Sequence, residues 1–131
     1  MPDDSELDYL ITFLDEATTS VTVKSFETIR KLPLIAGTKK ILIEPGELLS
    51  TDGPFYKKRY KIKIGLENEA NMMSIINEII NGTLNYNKRK AGFTYPTVMC
   101  NITFVYSNKG WVTTEGRWEY DVFLDVEWST S

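Results

Sequence analysis

Apolar and polar positions alternate most clearly near the end of the chain, in "GRWEYDVFLDVEW" over 116–128. Trp118, Tyr120, Val122, Leu124, Val126 and Trp128 take one set of alternate positions. Glu119, Asp121, Asp125 and Glu127, interrupted by Phe123, take the other. A period of two predicts a half-buried strand whose aromatic set faces a core and whose acids face away. "YKKRYKIKIGLE" over 56–67 repeats the pattern, with Tyr60, Ile62, Ile64 and Leu66 opposed to Arg59, Lys61 and Lys63. A third alternating run sets Val98, Cys100, Ile102, Phe104 and Tyr106 against Met99, Asn101, Thr103 and Val105, and the turn sequence "SNKG" follows. The last strand then starts near Trp111 or Arg117.

Two segments follow the helical period instead. Leu7, Leu10, Ile11 and Leu14 share one face. Asp4 or Ser5 can cap that helix, the acids Asp4, Glu6 and Asp8 suit its positive end, and "ATTS" closes it. Met72, Ile75, Ile76, Ile79 and Ile80 define a second helix opened by Asn68 and Glu69, with Gly82 placed as its C-terminal cap. The remaining signals are weaker. "SVTVKSFETI" over 20–29 reads as a strand that turns Val21, Val23 and either Phe26 or Ile29 inward. "RKLPLIAGTKK" is irregular or an edge, "ILIEPGELL" is a short apolar piece before a Pro45-Gly46 turn, and "STDGPF" is a loop. "NYNKRKAGFTYP" is a polar connection carrying a basic triplet.

Strands joined by short turns, with only two helices, predict an α+β fold: a mostly antiparallel sheet of four to five strands with both helices on one face. Residues 1–131 form a single domain, long enough for a core without disulfides or a metal. Burying the five apolar residues of the second helix contributes on the order of 10 kcal/mol gross, most of it offset by conformational entropy. Cys100 is the only cysteine, the first residues are acidic where a signal peptide is basic, and no apolar run approaches the roughly 20 residues that span a bilayer. N-x-T sequences at Asn81 and Asn101 lack a secretory context. These features read as an intracellular soluble protein with no membrane partner. The net charge of −3 gives no global pull toward nucleic acid.

Little in the chain suggests chemistry. It has no histidine, and Cys100 therefore lacks a base. No glycine loop has the lysine and spacing that cradle phosphate. Asp121 and Asp125 lie about 13 Å apart along a strand, too far to share a metal. Asp125 and Glu127, about 7 Å apart, would need further oxygens for calcium, or a cleft for sugar hydrolysis. We read no enzyme, no cofactor and no metal.

Two basic groups have two readings each. Tyr56, Lys57, Lys58, Arg59 and Tyr60, with Lys61 and Lys63, interleave rings and cations as single-strand nucleic-acid binders do. Alternatively, Lys61 and Lys63 pair across the sheet with the acid row, which the complementary charges of Asp121 and Asp125 favour. Lys88, Arg89 and Lys90 are either a phosphate contact or a solvated loop, and the loop is favoured. The outward sheet face mixes Lys61, Lys63, Glu119, Asp121 and Asp125 with Phe123, Val105 and Met99. Apolar side chains among opposite charges suit a subunit contact; a plain charged solvent face is the competing reading.

The second half runs strand "YKIKIGLE", helix "NEANMMSIINEIING", strand "VMCNITFVYSNKGW" and last strand "RWEYDVFLDVEW". With the N-terminal helix, this order and spacing over about 56–131 resembles the tail terminator and tail-completion (head-tail joining) proteins of long-tailed phages. The resemblance implies a small α+β structural protein that closes the tail tube as a homo-oligomer, a hexameric ring in that family. It also implies partners among other tail or head-completion proteins, assembly in the cytoplasm and residence in the virion. Segment 30–55 has no counterpart in it, and it carries over no individual functional residue. A nucleic-acid-binding module and a small-ligand-binding α+β domain, with its pocket between sheet and helices, are the rival functions.

Overall fold

The structure, a computed structural model, describes residues 2–19, 25–28, 40–66, 69–108 and 118–130. Val21, Val23, Ile29, most of the segment 30–40, and the start of the last strand before Trp118 lie outside the described residues. The elements are α1 (Pro2–Ala17), β1 (Ser25–Thr28), β2 (Lys40–Ile43), β3 (Glu47–Asp52), β4 (Phe55–Leu66), α2 (Glu69–Asn87), β5 (Met99–Asn108) and β6 (Trp118–Ser129). The sheet runs β1-β2-β4-β6-β5, and β3 continues along the β4 edge that β2 occupies further on. Among the described residues only β1 and β2 pair in parallel, and the other pairs are antiparallel. The fold is α+β, as the alternating segments predict.

α1 begins at Pro2, earlier than the predicted cap, so Asp4 and Ser5 lie inside the helix rather than at its start. Proline suits the first turn, where a missing N–H costs nothing. Leu7, Leu10 and Leu14 are buried as predicted, joined by Phe13 and Ala17. Thr18 ends the helix by donating both its N–H (3.0 Å) and its hydroxyl (2.7 Å) to the Leu14 carbonyl.

α2 does not stop at Gly82 but runs a further turn to Asn87. Its true end is a Schellman pair, Arg89 N–H to Tyr86 C=O (2.9 Å) and Lys90 N–H to Asn85 C=O (3.1 Å). Arg89 takes the left-handed conformation there (φ 58°). Gly82 is needed for another reason: a Cβ at this position would sit 2.7 Å from the Cβ of Ala17. It lets the two helices touch.

The sheet has six strands among the described residues, against four to five predicted. The extra strand is β3, which includes Ser50, Thr51 and Asp52 of the "STDGPF" predicted as a loop. Only Gly53 and Pro54 turn there, with Gly53 at φ 62°, and Asp52 pairs directly with Phe55. Short-range turn signals outweighed a strand that has no buried face to betray it: all six β3 side chains are exposed.

β4 and β6 pair over their full length, Phe55 opposite Ser129 through Leu66 opposite Trp118. Their inward set, including Tyr60, Ile62, Ile64, Tyr120, Val122, Leu124, Val126 and Trp128, packs with Met72, Ile75, Ile76 and Ile79 of α2 and the leucines of α1 in one core. Both helices therefore cover the same face. β5 departs from simple alternation. Extra residues at Cys100 and Val105 break its pairing with β6. Each such bulge shifts the face of every residue beyond it. Met99, predicted outward, is buried opposite Trp128, and Tyr106, predicted inward, stands outward opposite Phe123.

Candidate functional site

The sheet face that no described helix covers is built by alternation in β4 and β6 and by the Val105 bulge in β5. Its centre is apolar. The Phe123 and Tyr106 rings stack with centroids 4.5 Å apart and planes 16° from parallel, and Tyr106 is 43% exposed. Charges of both signs surround this pair. The Arg59 guanidinium grips Asp125 with two hydrogen bonds, Nε to Oδ1 at 2.8 Å and an Nη to Oδ2 at 3.1 Å. That grip, with the negative charge of Asp125 behind it, raises the Arg59 pKa above its ordinary value. Lys61 stands more loosely between Glu44 (3.7 Å) and Asp121 (3.8 Å). Lys63 is cross-strand from Asp121, and Glu119 is opposite Gly65.

Alternation alone brings Lys61, Lys63, Glu119, Asp121, Phe123 and Asp125 onto this one face. The cross-sheet pairing of bases with acids is present, with Arg59 rather than Lys63 as the tightest member. Tyr106 completes the surface, and strict alternation misses it. The signal for it is the apolar triplet Phe104-Val105-Tyr106, which cannot fit a strict period of two.

The basic residues are placed differently. Tyr60 is 1% exposed. Its hydroxyl donates to Glu6 Oε1 (3.1 Å) and accepts from Trp128 Nε1 (2.9 Å). Tyr56 donates its hydroxyl to the other Glu6 oxygen, and the Lys58 ammonium sits 2.9 Å from Oε1. Glu6 thus ties the N-terminal part of α1 to β4. A buried Tyr60 offers no ring face to a base. Lys57, which is exposed, shares a surface hollow of about 240 Å³ with Asp125 and Glu127, two carboxylates that disfavour a phosphate there. Arg89 lies 5.0 Å over both the Tyr86 and Tyr95 rings and donates to the Cys100 carbonyl (2.9 Å). Lys88 and Lys90 are exposed at the helix end.

Tyr60 also sets a pH dependence. Burial first, then the Glu6 carboxylate, push its hydroxyl well above the ordinary tyrosine range, and burial raises Tyr86 in the same direction. A raised pKa means that the folded state favours the protonated ring. Its contribution is complete below the unfolded value near pH 10 and is lost as pH rises beyond it. Thermal midpoints should hold steady to about pH 9 and then fall, and Tyr60→Phe should flatten that alkaline fall. A variant with an unchanged alkaline slope would remove Tyr60 as the cause.

Among the described residues, the inward side chains of the sheet and of both helices pack into one core. A hollow of about 340 Å³ lies at the helix ends beside Phe93, lined by Glu16, Glu78 and Asn85 among others. Glu16 and Glu78 are bonded there to Thr94 and Thr19. Among the described residues no three acid or cysteine side chains stand close enough to hold a metal, and no helix is long and apolar enough to cross a membrane.

No protein-family model and no curated protein sequence matches the chain. Its fold is similar to that of a chain from the "virion of native gene transfer agent (GTA) particle", with a TM-score of 0.65 at 9% identity, covering 94% of this chain and 93% of that one. At such low identity the likeness is one of fold.

Proposed function

We propose that this chain is a non-enzymatic structural component of a phage-like particle, of the tail-terminator type, acting through contacts between protomers that close a ring. The observation that carries the proposal is the fold likeness to a virion chain over nearly the whole length of both. The uncovered sheet face supplies a surface for it. Its stacked Phe123–Tyr106 pair is the apolar centre of a contact. Lys61, Lys63, Glu119, Asp121 and Asp125 orient a neighbour around that centre. The partners are further copies of this chain and other tail or head-completion proteins, met during assembly in the cytoplasm and kept in the virion.

Light scattering coupled to size exclusion, over a range of concentration and salt, tests this reading. The expected result is a discrete ring-sized oligomer that the double change Phe123→Glu, Tyr106→Glu reduces to a monomer with its thermal midpoint kept. A wild-type chain that stays monomeric under every condition would overturn ring formation.

A further inference from the structure

The borders of the sheet are finished differently. β1 lies beyond β2 at one side. At the other side β5 is the last described strand, and over 99–102 its outward peptide groups already have partners. Asn87 donates its side-chain amide to the Ile102 carbonyl (2.7 Å) and accepts from the Ile102 N–H (3.0 Å). It thereby imitates the peptide of a neighbouring strand. The Tyr86 hydroxyl (2.7 Å) and the Arg89 guanidinium (2.9 Å) occupy the Met99 and Cys100 carbonyls. β3 has no such cover. Among the described residues it pairs with β4 alone, and Leu48 and Leu49 are 56% and 40% exposed.

An uncovered edge presents a row of free N–H and C=O groups, the template on which a further strand adds. Edges that avoid this carry lysine, proline or bulges; β3 is "ELLSTD", with neither lysine nor proline and a single irregularity at Leu49. We propose that the β3 edge takes up one extended, positively charged segment of another polypeptide as an added strand. The charge follows from β3 itself, whose ionised side chains, Glu47 and Asp52, are both acidic. A second copy of β3 laid antiparallel about its middle would set Glu47 against Asp52, like charges that oppose pairing. A hollow of about 130 Å³ on the β4 side of β3, toward β6, joins Asp52 and Glu127 against the one ammonium of Lys57, with Phe55 as a wall, and a long side chain from the added strand reaches it across β3. It suits a lysine or arginine side chain, while apolar side chains of the incoming strand cover Leu48 and Leu49.

The test uses the full chain and a labelled decapeptide of alternating lysine and valine, read by fluorescence anisotropy and amide hydrogen exchange. The peptide should bind more weakly as salt rises and protect the β3 amides. An alternating glutamate and valine peptide should not bind, nor should the lysine peptide with N-methylated backbone. Leu48→Lys with Leu49→Lys, at exposed positions, should weaken binding about tenfold or more, and Asp52→Lys should shift preference toward the glutamate peptide. No binding, equal binding of the N-methylated peptide, or binding that leaves β3 amides unprotected would each overturn the proposal. Phe123→Glu should leave peptide binding intact, so the outcome is separate from ring formation.

Discussion

Replacing Glu6 with alanine is expected to cost about 3–5 kcal/mol of folding free energy, the usual loss when one member of a buried ion pair is removed. For a chain of this size that corresponds to a fall of roughly 10–20 °C in Tm. Glu6 is 5% exposed, and its two oxygens receive the Tyr56 and Tyr60 hydroxyls and the Lys58 ammonium, whose side chain is 16% exposed. Alanine takes the carboxylate from all three donors at once and releases the N-terminal part of α1 from β4. Glu6→Gln keeps the volume and an acceptor but not the charge, and should fall between. Urea or thermal unfolding measures the series. A loss below about 1 kcal/mol for Glu6→Ala would reduce this cluster to an ordinary surface pair.

Trp128→Ala is expected to cost a similar amount, about 3–5 kcal/mol, through the cavity left by a large core side chain. Trp128 is fully buried, packed edge-on to Tyr60 (centroids 6.3 Å, planes 73° apart) and opposite Met99 and Tyr56 in the sheet register. Trp128→Phe keeps much of the packing while removing the indole N–H that donates to Tyr60 and part of the ring volume, so it should cost less. Equal losses for the two would place the energy in the hydrogen bond rather than in the volume. Glu6, Tyr60 and Trp128 form one hydrogen-bonded chain, and combined substitutions along it should be less than additive.

What could be read from the sequence follows from the range of the forces involved. The faces of α1 and α2 and the inward sets of β4 and β6 are periodic over long runs, and the described members, Tyr60, Ile62 and Ile64 of β4 among them, are where the pattern put them. So is the outward row of Lys61, Asp121, Phe123 and Asp125. Where a local signal had to be weighed against a distant contact, the reading failed. Gly82 looked like a helix cap because its need for space comes from Ala17, 65 positions earlier in the chain. Glu6 looked like one of several acids at a helix start, because its partners are Tyr56, Lys58 and Tyr60 on β4. The stacking role weighed for Tyr56 and Tyr60, the less favoured of two readings, was open for the same reason. β3, exposed on every side chain, has no periodic burial to show.

The bulge at Val105 has a consequence for how this surface can vary. Beyond it, Tyr106 and Asn108 lie in register with the outward Phe123 and Asp121, and Ser107 with the inward Val122. Loss of that one residue would exchange all three between the wet and dry sides, dismantling the aromatic stack with almost no change in composition. Chain length in this short stretch therefore acts as a phase switch. Across divergent sequences, a gap of one position here would signal a different binding chemistry more strongly than several replacements elsewhere.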